Sequence, residues 1–228
     1  MKKHINKLIL LFIIGSIFGA FYEEMLHVVK FYLNHGTFDW VTKRGLIIGP
    51  LSPIYGIGSV LIYVVFYLKK RAWYKTFLLG SIFGGIFEYM MGFLQETIWG
   101  TISWDYSDKF LNIGGRTTVP FMFFWGMLVI FFVYIIFPYL DKLYSKFKEE
   151  NLNKIVNILL VILLVDVIVT ITAVTRQTLR QRGYKALTIV GEYCDKHYTD
   201  DYLKTIYRTS KVVKKSNSKW ITFLVPYL

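Results

Sequence analysis

Five long apolar runs dominate this sequence and leave it few ways to fold. Leu8 to Leu33, Leu46 to Leu68, Thr76 to Phe93, Val119 to Leu140 and Ile155 to Val174 are each strongly apolar. Each is close to the roughly 20 residues that a helix needs to cross about 30 Å of hydrocarbon. In lipid only a helix or a closed barrel satisfies its own backbone, and these runs lack the alternation of barrel strands. The expected fold class is an all-α membrane protein with about five transmembrane helices. They are expected at about 8–33, 46–68, 76–93, 119–140 and 155–174, inside a transmembrane domain of 1–174, with a basic, partly helical tail at 175–228.

Composition agrees. Of the 228 residues 54% are hydrophobic and 18% aromatic. A soluble domain seldom exceeds about half apolar content. The net charge of +12 does not point to nucleic acid, because a membrane protein gains positive charge by anchoring its cytoplasmic loops. Cys194 is the only cysteine, so no intrachain disulfide can form. The basic stretch Met1 to Lys7 followed by an apolar run has the outline of a signal peptide, but Phe18, Gly19 and Ala20 make a poor cleavage site.

A repeat argues more strongly that the first run is retained. Gly15 to Met25 recurs as Gly80 to Met90, with seven of eleven positions identical. The second copy lies mid-chain, where no signal peptide can be. A fainter echo places Pro50, Tyr55 and Gly56 over Pro120, Trp125 and Gly126, with Arg44 and Arg116 upstream. The first four helices therefore read as two related hairpins.

Lys and Arg give the orientation. Lys2, Lys3 and Lys7, then Lys69, Lys70, Arg71 and Lys75, then Lys142, Lys146, Lys148 and Lys154 mark one side. The alternate loops carry only Lys43 and Arg44, then Lys109 and Arg116. Positive charge favours the cytoplasm, so the N-terminus is expected inside and the hairpins are related in parallel, about an axis along the membrane normal. The expected location is a bacterial cytoplasmic membrane, crossed several times. The tail conflicts with this. Five crossings put it outside, yet over 176–228 it has 11 Lys or Arg against 4 Asp or Glu. Either it is exported, or helix 5 does not cross fully, or the loop after helix 3 dips into the membrane. Lys211, Lys214, Lys215 and Lys219 suit contact with anionic lipid.

Charges inside membrane helices are expensive and face the bundle interior or water. Glu23 and Glu88 occupy matching places in the repeat, each after a small-xxx-small step, Gly15/Gly19 and Gly80/Gly84. They are candidates for a shared polar site, with Arg44 and Arg116 as charge partners; the structural alternative is outward snorkelling or simple ion pairing. Glu96 opens a connection that holds Trp104, Asp105, Tyr106, Ser107 and Asn112, read either as a lid or ledge or as an aromatic belt with turn residues. Gly49, Pro50, Pro53, Tyr55 and Gly56 mark a helix break, which at membrane depth lines a cavity, or else a proline-rich first turn. Glu24 and His27 have metal-ligand spacing without a second copy, and an interfacial histidine is the plainer reading. Asp166 reads as structural, with Thr170 and Thr172 near it. No catalytic triad, phosphate loop or dinucleotide turn is present, and no cofactor is expected.

These motifs resemble the bacterial ABC-transporter type IV family of permease-like membrane proteins. The resemblance runs from about Phe12 to Leu140 and rests on Tyr22, Glu23, Arg44, Gly45, Gly49, Pro50, Pro53, Ile54, Tyr55, Gly56, Glu88, Tyr89, Glu96, Trp104 to Ser107, Asn112, Gly115, Arg116, Trp125 and Gly126. Where the family usually has asparagine, this chain has Gly114. The resemblance implies a transport component, and a separate ATPase subunit if transport is ATP-driven. Five helices are few for a complete pathway, which implies a homo-oligomer or larger complex in the bilayer. The solute expected at an intramembrane carboxylate site is polar, cationic or a proton. Two other classes fit the same residues: an embedded enzyme acting on lipid or envelope substrates, and a non-catalytic subunit or sensor.

Overall fold

The structure is a computed structural model that describes residues 2–42, 44–208, 210–212 and 225–228. Helix α1 spans Lys2–His35, and α3 spans Trp73–Trp99, where Gly100 in the left-handed region at φ 67° closes it. Helix α4 runs over Val119–Tyr144 and α5 over Glu149–Gln181. These four are long and apolar enough to cross a membrane among the described residues. Helix α2, Pro53–Tyr67, is shorter. Its 15 residues reach about 22 Å at about 1.5 Å each, short of the full hydrocarbon thickness.

The expected second helix over 46–68 is corrected here: residues 46–52 are not helical. Two local causes act together. Pro53 is accepted only in the first turn, and it pushes the residue before it to extended backbone, where Ser52 lies at ψ 97°. The amides that a helix would have consumed are met from outside instead. Ile47 N–H donates to Thr170 Oγ1 at 3.0 Å, and the Ile48 and Gly49 N–H groups donate to the two carboxylate oxygens of Asp166 at 2.9 and 2.8 Å. Asp166 is 1% exposed, midway along α5. Irregular backbone at membrane depth is tolerated when protein satisfies it.

Helix α1 packs mainly on α2, and α3 mainly on α4. Glycines set both approaches. A Cβ on Gly19 would overlap the Tyr55 ring, and one on Gly84 would overlap Trp125. A Cβ on Gly56 would lie 2.7 Å from the Phe12 carbonyl oxygen, and one on Gly126 would lie 2.8 Å from that of Phe77. Helices α2 and α4 each contain a π-helical turn, Tyr63–Tyr67 and Phe132–Ile136, and the two turns touch. Around them Leu11, Tyr63, Phe66, Val129 and Phe137 form the main buried cluster. Most large apolar side chains elsewhere on α4 and α5 stay exposed, as lipid-facing residues should.

Two ends follow from this packing. At the basic end Lys7 pairs with Asp141, Tyr67 OH donates to Asp141 at 3.0 Å, and Tyr144 OH donates to the Lys3 carbonyl. At the loop end two small ladders form: β2 (Asn112–Ile113) with β3 (Thr117–Thr118), and β1 (Thr101–Ile102) with β4 (Lys211–Val212). The tail also lies here. Helices α6 (Ile189–His197) and α7 (Asp200–Ile206), each opened by a threonine cap, fold back so that Leu203 and Ile206 meet Ala173 and Ile47. Arg176, 1% exposed, and Arg180 both pair with Asp195, and Arg180 also pairs with Asp200. Burial alone would raise Asp195, but hydrogen bonds and charge from the two arginines outweigh it and hold the carboxyl below its usual range. Arg176 and Arg180, at the end of α5, thus bind acids of the tail. Lys43, Lys214, Lys215 and Lys219 lie outside the described residues, as does the Lys211 side chain.

Candidate functional site

Glu88 is the centre of the polar cluster at the loop end. It sits on α3 one turn beyond Gly84, so α4 comes close beside it. Thr117 Oγ1 donates to one carboxylate oxygen at 2.7 Å, and Tyr106 OH donates to the other at 3.1 Å. The Trp125 side chain also hydrogen-bonds to it. All three donors are neutral. The Tyr106 ring stacks on Phe121 at 4.9 Å, which brings the connecting segment down over the carboxylate. Burial first, then the Glu88 charge, raises the Tyr106 phenol above its ordinary value and keeps it a hydrogen-bond donor.

Two turns along α3, Glu96 takes the ion pair with Arg116. The guanidinium lies over Tyr89 and Phe93 at 5.3 and 5.6 Å from the ring centres, in the space left by Gly92. It also donates to the Gly114 carbonyl at 3.3 Å. Trp104 Nε1 donates to the Arg116 carbonyl at 2.9 Å. Arg116 is therefore the partner of Glu96, not of Glu88. Asp105 and Asn112 shape the segment itself: Asp105 accepts from Ser107 N–H and Oγ, while Asn112 donates to the Ser107 and Lys109 carbonyls and accepts from Gly115 N–H. Gly114 and Gly115 have φ of 57° and 68°, so the tight turn before Arg116 uses glycine's freedom.

In the first hairpin the Tyr55 hydroxyl, in the first turn of α2, hydrogen-bonds to Glu23. Electrostatically Tyr106 feels both Glu88 and Glu23, so the two carboxylates border one neighbourhood. Arg44 departs from the expected pairing. It is in no ion pair among the described residues, its Nε is buried without a partner there, and its charge bears on Tyr207 of the tail. Tyr207 OH donates to the Gly45 carbonyl at 3.0 Å. Gly49, Pro50, Pro53, Tyr55 and Gly56 thus divide: the first two belong to the segment held by Asp166, and the others form the start of α2. His27 Nε2 lies 3.0 Å from Asp39 Oδ2. Among the described residues no group of three or more metal-ligating side chains occurs around it or Glu24.

The sequence matches the family described as "Putative ABC-transporter type IV" over residues 10–171, well over half of the chain. The chain belongs to that family. No curated protein and no solved structure matches it. The family stretch takes in both hairpins, the segment before α2 and Asp166, and it stops short of the tail. This ABC-transporter type IV protein is accordingly a membrane protein, with transmembrane helices, of the transporter type. Thr117 escapes sequence reasoning: a threonine beside a loop arginine carries no signal until β3 turns its hydroxyl toward α3.

Proposed function

We propose that this protein is the membrane component of a transport system, with an anionic site at Glu88 and Glu23 that takes a cationic solute or protons. One observation carries the reading. Glu88 receives three hydrogen bonds from neutral donors, so its charge is ordered without being cancelled by a cation among the described residues. A carboxylate held this way in a low-dielectric setting attracts a positive partner. Helices α1–α2 and α3–α4 are the two parallel-related repeats. The shared glycine approaches and the paired Glu23–Tyr55 and Glu88–Trp125 contacts support that relation. The basic end, with the N-terminus, faces the cytoplasm, and the chain crosses five times when α2 and its irregular segment count as one crossing. The loop end and tail then lie outside. The protein acts as a homo-oligomer, with a separate ATPase subunit where transport is ATP-driven.

The test uses the purified chain in liposomes, with an entrapped pH dye for protons and labelled sodium, rubidium and methylammonium as cationic probes. Wild type carries at least one of them, and Glu88→Gln and Glu23→Gln abolish that flux while their melting temperatures stay near wild type. The proposal fails if wild type moves none of the probes, or if Glu88→Gln keeps full flux.

A further inference from the structure

Helix α6 carries a feature that transport does not use. Gly183, at φ 85°, turns the chain after α5, and the bonds from Arg176 and Arg180 to Asp195 draw α6 back along the last turns of α5. Its inner face, Gly191 and Cys194, is buried there. Its outer face carries large apolar side chains beside exposed Glu192, Lys196 and His197. Ile189 is 85% exposed, and Val190 and Tyr193 are more than half exposed, with Leu187 just before the helix at 65%.

We propose that α6 is a membrane-interface helix, with Leu187, Ile189, Val190 and Tyr193 seated in the lipid at the loop end. Two observations select lipid as the occupant. Asp195 bonds to Arg176 and Arg180, so α6 stands level with the last turns of α5, just past the apolar run 155–174. Exposed Lys185 and Lys196 flank it, and lysines there reach lipid phosphates while their stems cover apolar surface. Such a helix lies in the interface plane, its apolar face roughly 5–10 Å deep at the headgroup–acyl boundary. The tail is then pinned twice, by ion pairs to α5 and by lipid.

The experiment places a nitroxide spin label on Ile189→Cys in a Cys194→Ala background of the full chain. The protein is reconstituted in phosphatidylcholine vesicles containing phosphatidylglycerol. Collision rates are measured with oxygen, which partitions into lipid, and with a nickel chelate, which stays in water. Ile158→Cys on α5, a 61% exposed site, and Glu150→Cys, 78% exposed at the start of α5, serve as lipid and water references. The expected oxygen-to-nickel ratio at Ile189 is several-fold above that at Glu150 and close to that at Ile158. A ratio like that at Glu150 overturns the proposal in favour of water. Low collision with both reagents, together with spin–spin broadening, overturns it in favour of a second copy of the chain. Should Ile189→Cys not fold, Val190→Cys is read in the same way.

Discussion

Replacing Asp166 with alanine should release the segment before α2. The carboxylate receives the Ile48 and Gly49 amides at 2.9 and 2.8 Å, and it is 1% exposed. A hydrogen bond to a charged acceptor contributes about 1.5–3 kcal/mol, and the donors left behind lose their partner. Thr170, which already bonds to Asp166 and to the Ile47 amide, can take up part of the lost bonding. The low end, about 3 kcal/mol for the pair, is therefore expected. For a chain of this size each kcal/mol moves the melting point by about 2–4 °C, so the fall should be roughly 6–12 °C. Asp166→Asn keeps one acceptor and should lose about half as much. Cys194 offers the assay: it is the only cysteine, it is buried, and burial raises its thiol above the ordinary value. A fluorogenic maleimide in a heating ramp therefore reacts only when the tail opens. The readout is local to the clamp, because Ile47 shares a buried cluster with Leu203 and Ile206 of the tail. If Asp166→Ala melts within about 1 °C of wild type, the carboxylate does not hold this segment and the reasoning is wrong.

Four further outcomes are expected. Gly84→Ala should lower the melting point through overpacking of about 1–3 kcal/mol, because its Cβ would overlap Trp125, whereas Gly58→Ala, 3.5 Å from Phe87, should leave it near wild type; paired thermal melts decide. Arg176→Met leaves Asp195 with only Arg180, and Cys194 should then react with maleimide at ambient temperature; unchanged reactivity would sink the tail-docking account. The same docking should be stable at neutral pH. Because folding lowers the Asp195 pKa, its contribution is present above the unfolded aspartate value and is lost as pH falls through the still lower folded value, which maleimide labelling against pH can follow. Finally, Lys196→Cys in a Cys194→Ala background should label with an impermeant maleimide in intact cells, whereas labelling only after permeabilisation would turn the proposed orientation over.

Much of the bundle was legible in the residues. The apolar runs named α1, α3, α4 and α5, because burial in lipid needs only length and composition. Glu23 and Glu88 stood out because a charge in such a run is costly, and Arg116 and Trp104 because they bracket a short loop. The partners were not legible. Arg116 chose Glu96 since both lie along one side of α3 and the hairpin after Gly114, a proximity that only the turn creates. Arg44 ended beside the tail for a similar reason, since the tail's return path depends on Arg176 finding Asp195.

What the sequence alone determined is the helical membrane character, the recurrence of Gly15 to Met25 as Gly80 to Met90, and the family. Hydrophobic length, residue-by-residue identity and the cost of buried charge are local properties, written in consecutive residues. What tertiary structure decided is how the polar groups are satisfied. The helix expected from residue 46 begins at Pro53, because Asp166 and Thr170, more than a hundred residues away, bind the amides a helix would have used. The tail sits with the loops because Arg176 and Arg180 of α5 close on Asp195 and Asp200 and β4 pairs with β1. In a medium without water every polar group must find a partner within the protein, and which partner it finds depends on chain segments far apart in sequence.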